Sequence, residues 1–362
     1  MKKTRVCVIG CGKISEIYLQ NMTTGFPNLE VVACCDLNAE SAQRRAEQFG
    51  IEVRTMDEIL KDETVDMVIV LTPAPSHYGL IKTALLAGKH VYTEKVLSHE
   101  KALAQELVAL AREKGLYLGS APDTFLGAAW QKARQIVDSG ALGEVTSFHM
   151  SRNCCLDRNL CKFLFLRLPA GGICYDLGVY YLTALVNLLG PIKEVCAVVE
   201  NRKPVRIGCV EDGADFGKSY NYDNEAQVTA ILRTESGVTG TFLLNGESIG
   251  ANQHSFTVYG TEAVAQLPDP NNFGGDIQLI RSRTDQQTAE NDLPFAQNSR
   301  GIGPSEMAAA MEEGRPNLAS CELALHVLDV IECMMESSKT GAFVQVSTTC
   351  QRPAPLNGAA LL

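Results

Sequence analysis

The chain is short of positive charge, of long apolar runs and of ordered cysteine spacings, and each shortage removes a class of function. Its 32 Lys and Arg against 42 Asp and Glu leave a net charge of −10, which offers no electrostatic footprint for nucleic acid or for an anionic membrane. No stretch approaches the ~18 uninterrupted apolar residues of a membrane span. MKKT leads at once into an apolar strand pattern that ends at a glycine pair, so no signal peptide is expected. The 13 cysteines are odd in number, include no CxxC pair and fall mostly inside apolar runs. There, as at Cys7 and Cys34–Cys35, a thiol behaves as a small hydrophobe. A reducing, cytoplasmic setting is the expectation. Cys154, Cys155 and Cys161 with His149 form the densest cluster, yet their spacing is too irregular to predict a metal site. No internal repeat or low-complexity tract is present.

What is present is an ordinary globular composition, 362 residues with 46% hydrophobic and 20% charged, which suggests about two domains. A core of that size needs neither disulfides nor a structural metal. Over the first 120 or so residues strand and helix patterns alternate, which predicts an α/β unit with a doubly wound parallel sheet. Strands are expected at 5–10, 29–36, 51–55, 65–73, 90–95 and 116–120. The helices between them include 39–49, closed by Gly50, 77–87, and one capped by Ser98 with Leu103, Leu107 and Leu110 on one face. After Pro122 the pattern changes. A helix over 127–139, a strand over 144–152, an irregular loop and a helix over 172–189 precede successive strands from 193 to about 280. Residues 284–304 read as a polar loop and 318–338 as a final helix. The expected division is 1–122 and then 123–362, the second part α+β with a large, mainly antiparallel sheet.

Three features carry chemistry. The first is Gly10-Cys11-Gly12-Lys13-Ile14-Ser15, between a strand and a helix. Its glycines allow a tight turn and bring backbone amides to a pyrophosphate at the helix N-terminus. Asp36 ends the second strand, where a carboxylate accepts from ribose hydroxyls and repels a 2′-phosphate. This predicts a Rossmann dinucleotide-binding domain and NAD over NADP. The second feature is Thr72-Pro73-Ala74-Pro75-Ser76-His77 at a strand's carboxyl end, with Glu94-Lys95 at the next. Taken alone, Lys95 would be a solvated surface charge. In a sheet of this order it faces the nicotinamide end of the cleft. The third is Gly171-Gly172 followed by Asp176 and Tyr180, which share a helix face at i and i+4. An Asp in so apolar a helix needs a partner, and Lys95 is the candidate. A lysine beside Tyr180 would lower the phenol's pKa from its usual ~10 and fit it for proton transfer. Tyr181 is an alternative about 100° further round the helix. Asp123, Arg152, Asn153, Asp157 and Tyr175 are candidate contacts for substrate hydroxyls.

The glycine turn near residue 10, Thr72-Pro73 with His77, AGKHV before Glu94-Lys95, and Gly171-Gly172 with Asp176-x-Gly178-x-Tyr180 together resemble the glucose–fructose oxidoreductase / inositol dehydrogenase family. The Gly303–Met307 segment and Gly314-Arg315-Pro316 look like the family too. The resemblance implies an NAD-dependent oxidoreductase in which Lys95 contacts the reacting hydroxyl and nicotinamide ribose. It implies that Asp176 orients the substrate and that Tyr180 takes the place of the usual proton-accepting histidine. The usual proline after Glu-Lys is Val96 here.

The leading expectation is hydride transfer between NAD and a ring hydroxyl of a sugar, glycoside or cyclitol, with C3 of a glucoside preferred. Gly10, Gly12, Lys13, Ile14, Asp36, Thr72, Pro73, His77, Glu94 and Lys95 would hold the cofactor. An NAD-dependent glycosidase working through transient C3 oxidation is a second expectation, and a non-catalytic NAD sensor a third. Apolar residues on both alternation sets of the second sheet, as in 197–201 and 240–245, predict a homo-oligomer, dimer or tetramer.

Overall fold

In the computed structural model, which describes residues 3–213, 215–249 and 253–361, the apolar runs of the first third become six parallel strands. These are β1 (Thr4–Ile9), β2 (Leu29–Cys35), β3 (Glu52–Val53), β4 (Met67–Val70), β5 (His90–Thr93) and β6 (Leu118–Ser120), in the order β3-β2-β1-β4-β5-β6. The order reverses between β1 and β4, and ligands of open parallel sheets bind outside the carboxyl ends at such a point. Helices α1 (Ser15–Thr24), α2 (Ala39–Phe49), α3 (Met56–Lys61), α4 (His77–Leu86) and α5 (Lys101–Lys114) connect the strands. Gly50 closes α2 in the left-handed region at φ 67°. Ser98 does not cap α5: that helix begins at Lys101 after Glu100, and Ser98 is fully buried.

The second sheet follows α6 (Ala128–Asp138). Its strands are β7 (Val145–Asn153), β8 (Ile192–Glu200), β11 (Gln227–Thr234), β12 (Thr239–Asn245), β13 (Gln253–Gly260), β14 (Val264–Leu267), β15 (Gln278–Ile280), β16 (Gln286–Thr288) and β17 (Val344–Gln345). They run in the order β16-β15-β14-β13-β7-β12-β11-β8-β17. All pairs are antiparallel except β7 with β12. Strands β9 (Val205–Ile207) and β10 (Ser219–Asn221) form a separate hairpin. Alternation decides the faces. Val228, Ala230 and Leu232 of β11 and Phe242 and Leu244 of β12 are buried, while Val198 and Ile231 point outward, 57% and 42% exposed.

Between β7 and β8 lie α7 (Leu156–Lys162), a short stretch of irregular chain, and a helix that starts as one π turn (Cys174–Gly178) and continues as α8 (Val179–Leu189). The chain then returns to the first sheet. In α9 (Ile302–Glu313) a Cβ on Gly303 would lie 2.1 Å from the Tyr92 hydroxyl, so only glycine fits. The buried Glu306 carboxylate accepts from Arg315 at 2.5 Å and from the Leu318 N–H at 2.7 Å, which joins the two C-terminal motifs. Helix α10 (Cys321–Thr340) lies on α5, and Lys101 reaches the buried Asp329 at 2.8 Å. No helix of the described residues is long and apolar enough to cross a membrane.

Candidate active site

The glycine turn is shaped by its neighbours. Gly10 has φ +101°, and a Cβ there would lie 2.8 Å from the Leu71 carbonyl carbon. Nothing lies within 4 Å of where a Gly12 Cβ would be, so that backbone is open to a ligand. Ser15, in the third position, is buried and donates to Gly12 O at 2.6 Å. The buried Arg45 braces it from α2, with Nε 3.2 Å from the Ser15 hydroxyl. Asp36 accepts the Cys11 N–H at 2.6 Å and the Asn38 N–H at 2.8 Å, which fixes a carboxylate at the end of β2. An open backbone turn at a helix start, with a carboxylate anchored beside it, fits a dinucleotide.

From this turn a cavity of about 800 Å³ runs between the two sheets. Gly12, Lys13, Ile14, Thr72, Pro73, Glu94 and Lys95 line one side, and Arg152, Tyr175, Asp176 and Tyr180 the other. Lys95 leaves the end of β5 and places its ammonium 2.5 Å from Asp176 Oδ1 and 3.1 Å from the Asp176 carbonyl. Burial works against that charge, but Asp176 and then Tyr180 outweigh it and hold the Lys95 pKa above its usual value. Glu94 accepts the Tyr18 hydroxyl at 2.9 Å and the Lys95 N–H at 3.0 Å.

The expected lysine–tyrosine couple differs in detail. Lys95 lies over the Tyr180 ring, 5.8 Å from its centroid, and spends its hydrogen bonds on Asp176. Tyr180 is 8% exposed. Its burial raises the phenol's pKa by more than Lys95 and Arg300 lower it, so the net shift is upward, opposite to expectation. Asp176 lies in the π turn rather than in regular α-helix, yet both it and Tyr180 still reach the cavity. Tyr181 turns away, stacked on Phe256 at 6.2 Å and absent from the cavity wall.

Other expected residues take supporting places. His77 is buried and bridges backbone, with Nδ1 2.6 Å from Val96 O and Nε2 2.8 Å from Thr72 O. It is absent from the cavity wall, as are Gly10 and Asp36. The Lys95–Val96 peptide at this corner is cis. Asp123, 1% exposed, accepts the N–H groups of Gly301 and Gly303 at 3.2 and 3.1 Å and does not line the cavity. Burial raises its carboxyl to about 6. Asp157 binds Lys203 at 2.5 Å and Arg206 at 2.6 Å, and neither it nor Asn153 is part of the wall. Arg152 does line the cavity and pairs with Asp269 at 2.8 Å. The cysteine cluster is dispersed: Cys154 is buried against the cavity, His149 faces Thr241 on the sheet, and Cys161 meets Cys209.

Three contributors have no local sequence signal. Asn159, Phe163 and Leu166 of the α7 segment form a roof, with Lys13 Nζ 5.0 Å from the Phe163 ring centroid. Arg300, donating to Asn271 at 2.8 Å, adds a second cation near Tyr180. Glu225 accepts the Cys174 N–H at 2.9 Å, capping the π turn, and a Cβ on Gly172 would lie 1.9 Å from its carboxylate. That contact explains the glycine before the Asp176 helix.

Comparison with known proteins agrees with this geometry. Residues 4–121 match the model of the GFO/IDH/MocA oxidoreductase family, NAD-binding Rossmann fold, and residues 130–266 match the GFO/IDH/MocA C-terminal domain. The chain is 30% identical over 269 residues to dTDP-3,4-didehydro-2,6-dideoxy-alpha-D-glucose 3-reductase of Actinomadura kijaniata, covering 70% of this chain and 71% of that protein. It is 25% identical over 302 residues to scyllo-inositol 2-dehydrogenase (NADP(+)) of Bacillus subtilis, covering 79% and 80%. For two other curated relatives the chain spans about three fifths of their length, 58% and 62%. The fold matches levoglucosan dehydrogenase in its apo form with TM-score 0.84 at 20% identity, covering 97% of this chain and 100% of that one. An NAD binding oxidoreductase from Klebsiella pneumoniae gives 0.83 at 21%, covering 96% and 99%. With both domains matched in order along one chain, this protein belongs to the GFO/IDH/MocA family of NAD(P)-binding oxidoreductases.

Proposed function

We propose that the protein transfers a hydride between NAD and a ring hydroxyl of a sugar, glycoside or cyclitol, with C3 of a glucoside the preferred position. The observation that carries this reading is the convergence in one cavity of Lys95 from one side with Asp176 and Tyr180 from the other, with the ammonium 2.5 Å from the carboxylate. A bound nicotinamide supplies the hydride acceptor or donor. Lys95 presents N–H to the reacting oxygen, Asp176 orients the lysine, and Tyr180 exchanges the hydroxyl proton. Because burial raises the Tyr180 phenol, it is protonated at neutral pH and suited to give a proton to a carbonyl oxygen. Oxidation therefore gains from alkaline pH. Relatives named for a sugar 3-reductase and an inositol dehydrogenase support the substrate class. The carboxylate of Asp36 supports NAD over NADP.

The test is a panel of sugars, glycosides and inositols, scored for NADH formation and for product mass. A 3-keto product with stoichiometric NADH supports the proposal. Aglycone release without NADH accumulation would make the protein a glycosidase with transient oxidation instead. No turnover across the panel would leave a sensor. A homo-oligomer joined through the sheet face that carries Val198 and Ile231 belongs to the same reading, and a monomer mass in light scattering counts against it.

A further inference from the structure

The roof of the cavity carries a thiol pair that hydride transfer does not use. Cys161 lies on α7 between Asn159 and Phe163, both in the cavity wall. Its Sγ is 3.8 Å from Cys209 Sγ and accepts the Cys209 N–H at 3.3 Å. Cys209 is exposed, in the loop that joins β9 to β10. That hairpin is outside the nine-stranded sheet. It is fastened to the roof by charge and by packing: Arg167 pairs with Asp215 at 2.5 Å and stacks 3.6 Å over Tyr220, Lys203 and Arg206 hold Asp157, and Tyr220 and Tyr222 pack with Leu156, Leu160 and Leu166. All of these contacts are non-covalent, so a covalent link between α7 and the hairpin would change how firmly the roof is held.

We propose that Cys161 and Cys209 are a peroxide-sensitive dithiol whose disulfide pins the α7 roof over the cofactor and substrate cavity. The sulfurs must close from 3.8 Å to about 2.05 Å. Burial, then the contact with Cys161, holds the Cys209 thiol above its ordinary pKa, and the Cys209 N–H directed at Cys161 Sγ keeps the two sulfurs side by side. The Cys161 sulfur attacks hydrogen peroxide, the O–O bond breaks, and the thiol proton leaves with the departing oxygen as one water while Cys161 becomes a sulfenic acid. The Cys209 sulfur then displaces the second water and the S–S bond forms. Two thiols are oxidised and one peroxide is reduced to two waters. The ring so closed, from 161 to 209, contains the Asp176–Tyr180 helix. Since the thiols already face each other with Phe163 beside Lys13, the link holds the roof in that position and slows opening, a step that often limits turnover.

The kinetic consequence rests on the cavity being the site proposed above; the cross-link does not. The full chain, loaded with NADH, is treated with hydrogen peroxide and digested without reductant. The expected result is one linked peptide pair containing Cys161 and Cys209, two fewer titratable thiols, and NADH release slowed on the order of tenfold. Dithiothreitol restores the fast release, C209S never shows the slowing, and C350S behaves as wild type. Absence of the linked pair overturns the dithiol. A linked pair with NADH release unchanged overturns its hold on the roof. An active-site failure is separable, because turnover would then be missing from the reduced protein as well.

Discussion

The two walls of the cavity are built on different physical rules. On the parallel-sheet side each residue is delivered by a strand end: Gly12 after β1, Thr72 after β4, Glu94 and Lys95 after β5. The short step from strand to turn fixes their position, and the backbone does much of the binding. On the facing side the wall is assembled from side chains distant in sequence. Arg152 finds Asp269 across 117 positions, and Glu225 finds Cys174 across 51. The first wall is suited to a cofactor of constant shape. The second is free to vary with the substrate.

Substitutions on the two walls should separate accordingly. Lys95→Ala removes the N–H donor and Asp176's partner, and kcat should fall by roughly 10²–10⁴-fold, with Tyr180→Phe in the same range. NAD affinity, measured by calorimetry, should change little in either, because the glycine turn and Asp36 are untouched. In the wild type, oxidation should speed up toward alkaline pH, since the raised phenol must lose its proton. Loss of NAD binding together with kcat in Tyr180→Phe, on the far wall, would break the division between the walls.

A smaller pair of effects sharpens it. Arg152→Ala strips a cation from the far wall and leaves Asp269 unpaired, so KM should rise roughly 10- to 100-fold with NAD affinity unchanged. Asp36→Ser should do the reverse, weakening NAD on the order of tenfold and narrowing the gap to NADP. Equal or tighter binding of NADP by the unaltered protein would place Asp36 away from the ribose.

This division also explains what could be read in advance. The doubly wound order, Gly50 as a helix stop, the glycine turn and the Lys95–Asp176 contact all follow from local motifs at strand and helix ends. Ser98 misled because a capping residue type says nothing of whether its hydroxyl is buried. Asp123 and Asp157 look like substrate contacts in sequence, but each is engaged within the protein, by the backbone at Gly301 and Gly303 or by Lys203 and Arg206. Arg300, the Phe163 roof and Glu225 were illegible, since tertiary packing alone brings them to the site.

Glu225 offers a test through pH. Burial, against the N–H bonds it accepts, raises its carboxyl to about 7. A carboxyl raised on folding contributes stability that is complete below its unfolded pKa, ~4.5, and is lost as pH rises through the folded value. Glu225→Gln keeps an acceptor for the Cys174 N–H and never ionises. Between pH 5 and 8, the variant should therefore gain on the wild type by up to about 2 kcal/mol, seen as a growing Tm difference. A constant difference would mean that Glu225 is ionised throughout.

The smallest effect is expected one residue along from Tyr180, and it is the most direct check on the helix phase. Tyr181 is 2% exposed, with its ring 6.2 Å from Phe256 and 6.3 Å from Phe242, inside the core of the antiparallel sheet. Phenylalanine preserves both ring contacts and the packed volume, so the core has no reason to rearrange. The phenol oxygen of Tyr181 does not line the cavity, so its removal leaves the proton path intact. Tyr181→Phe should keep kcat and KM within about twofold of wild type, a change well below the range expected of a proton-transfer group. A loss as large as that of Tyr180→Phe would mean that the helix presents its next face to the substrate. The π turn at Cys174–Gly178, which sets the rotation of everything after it, would then be the element to re-examine.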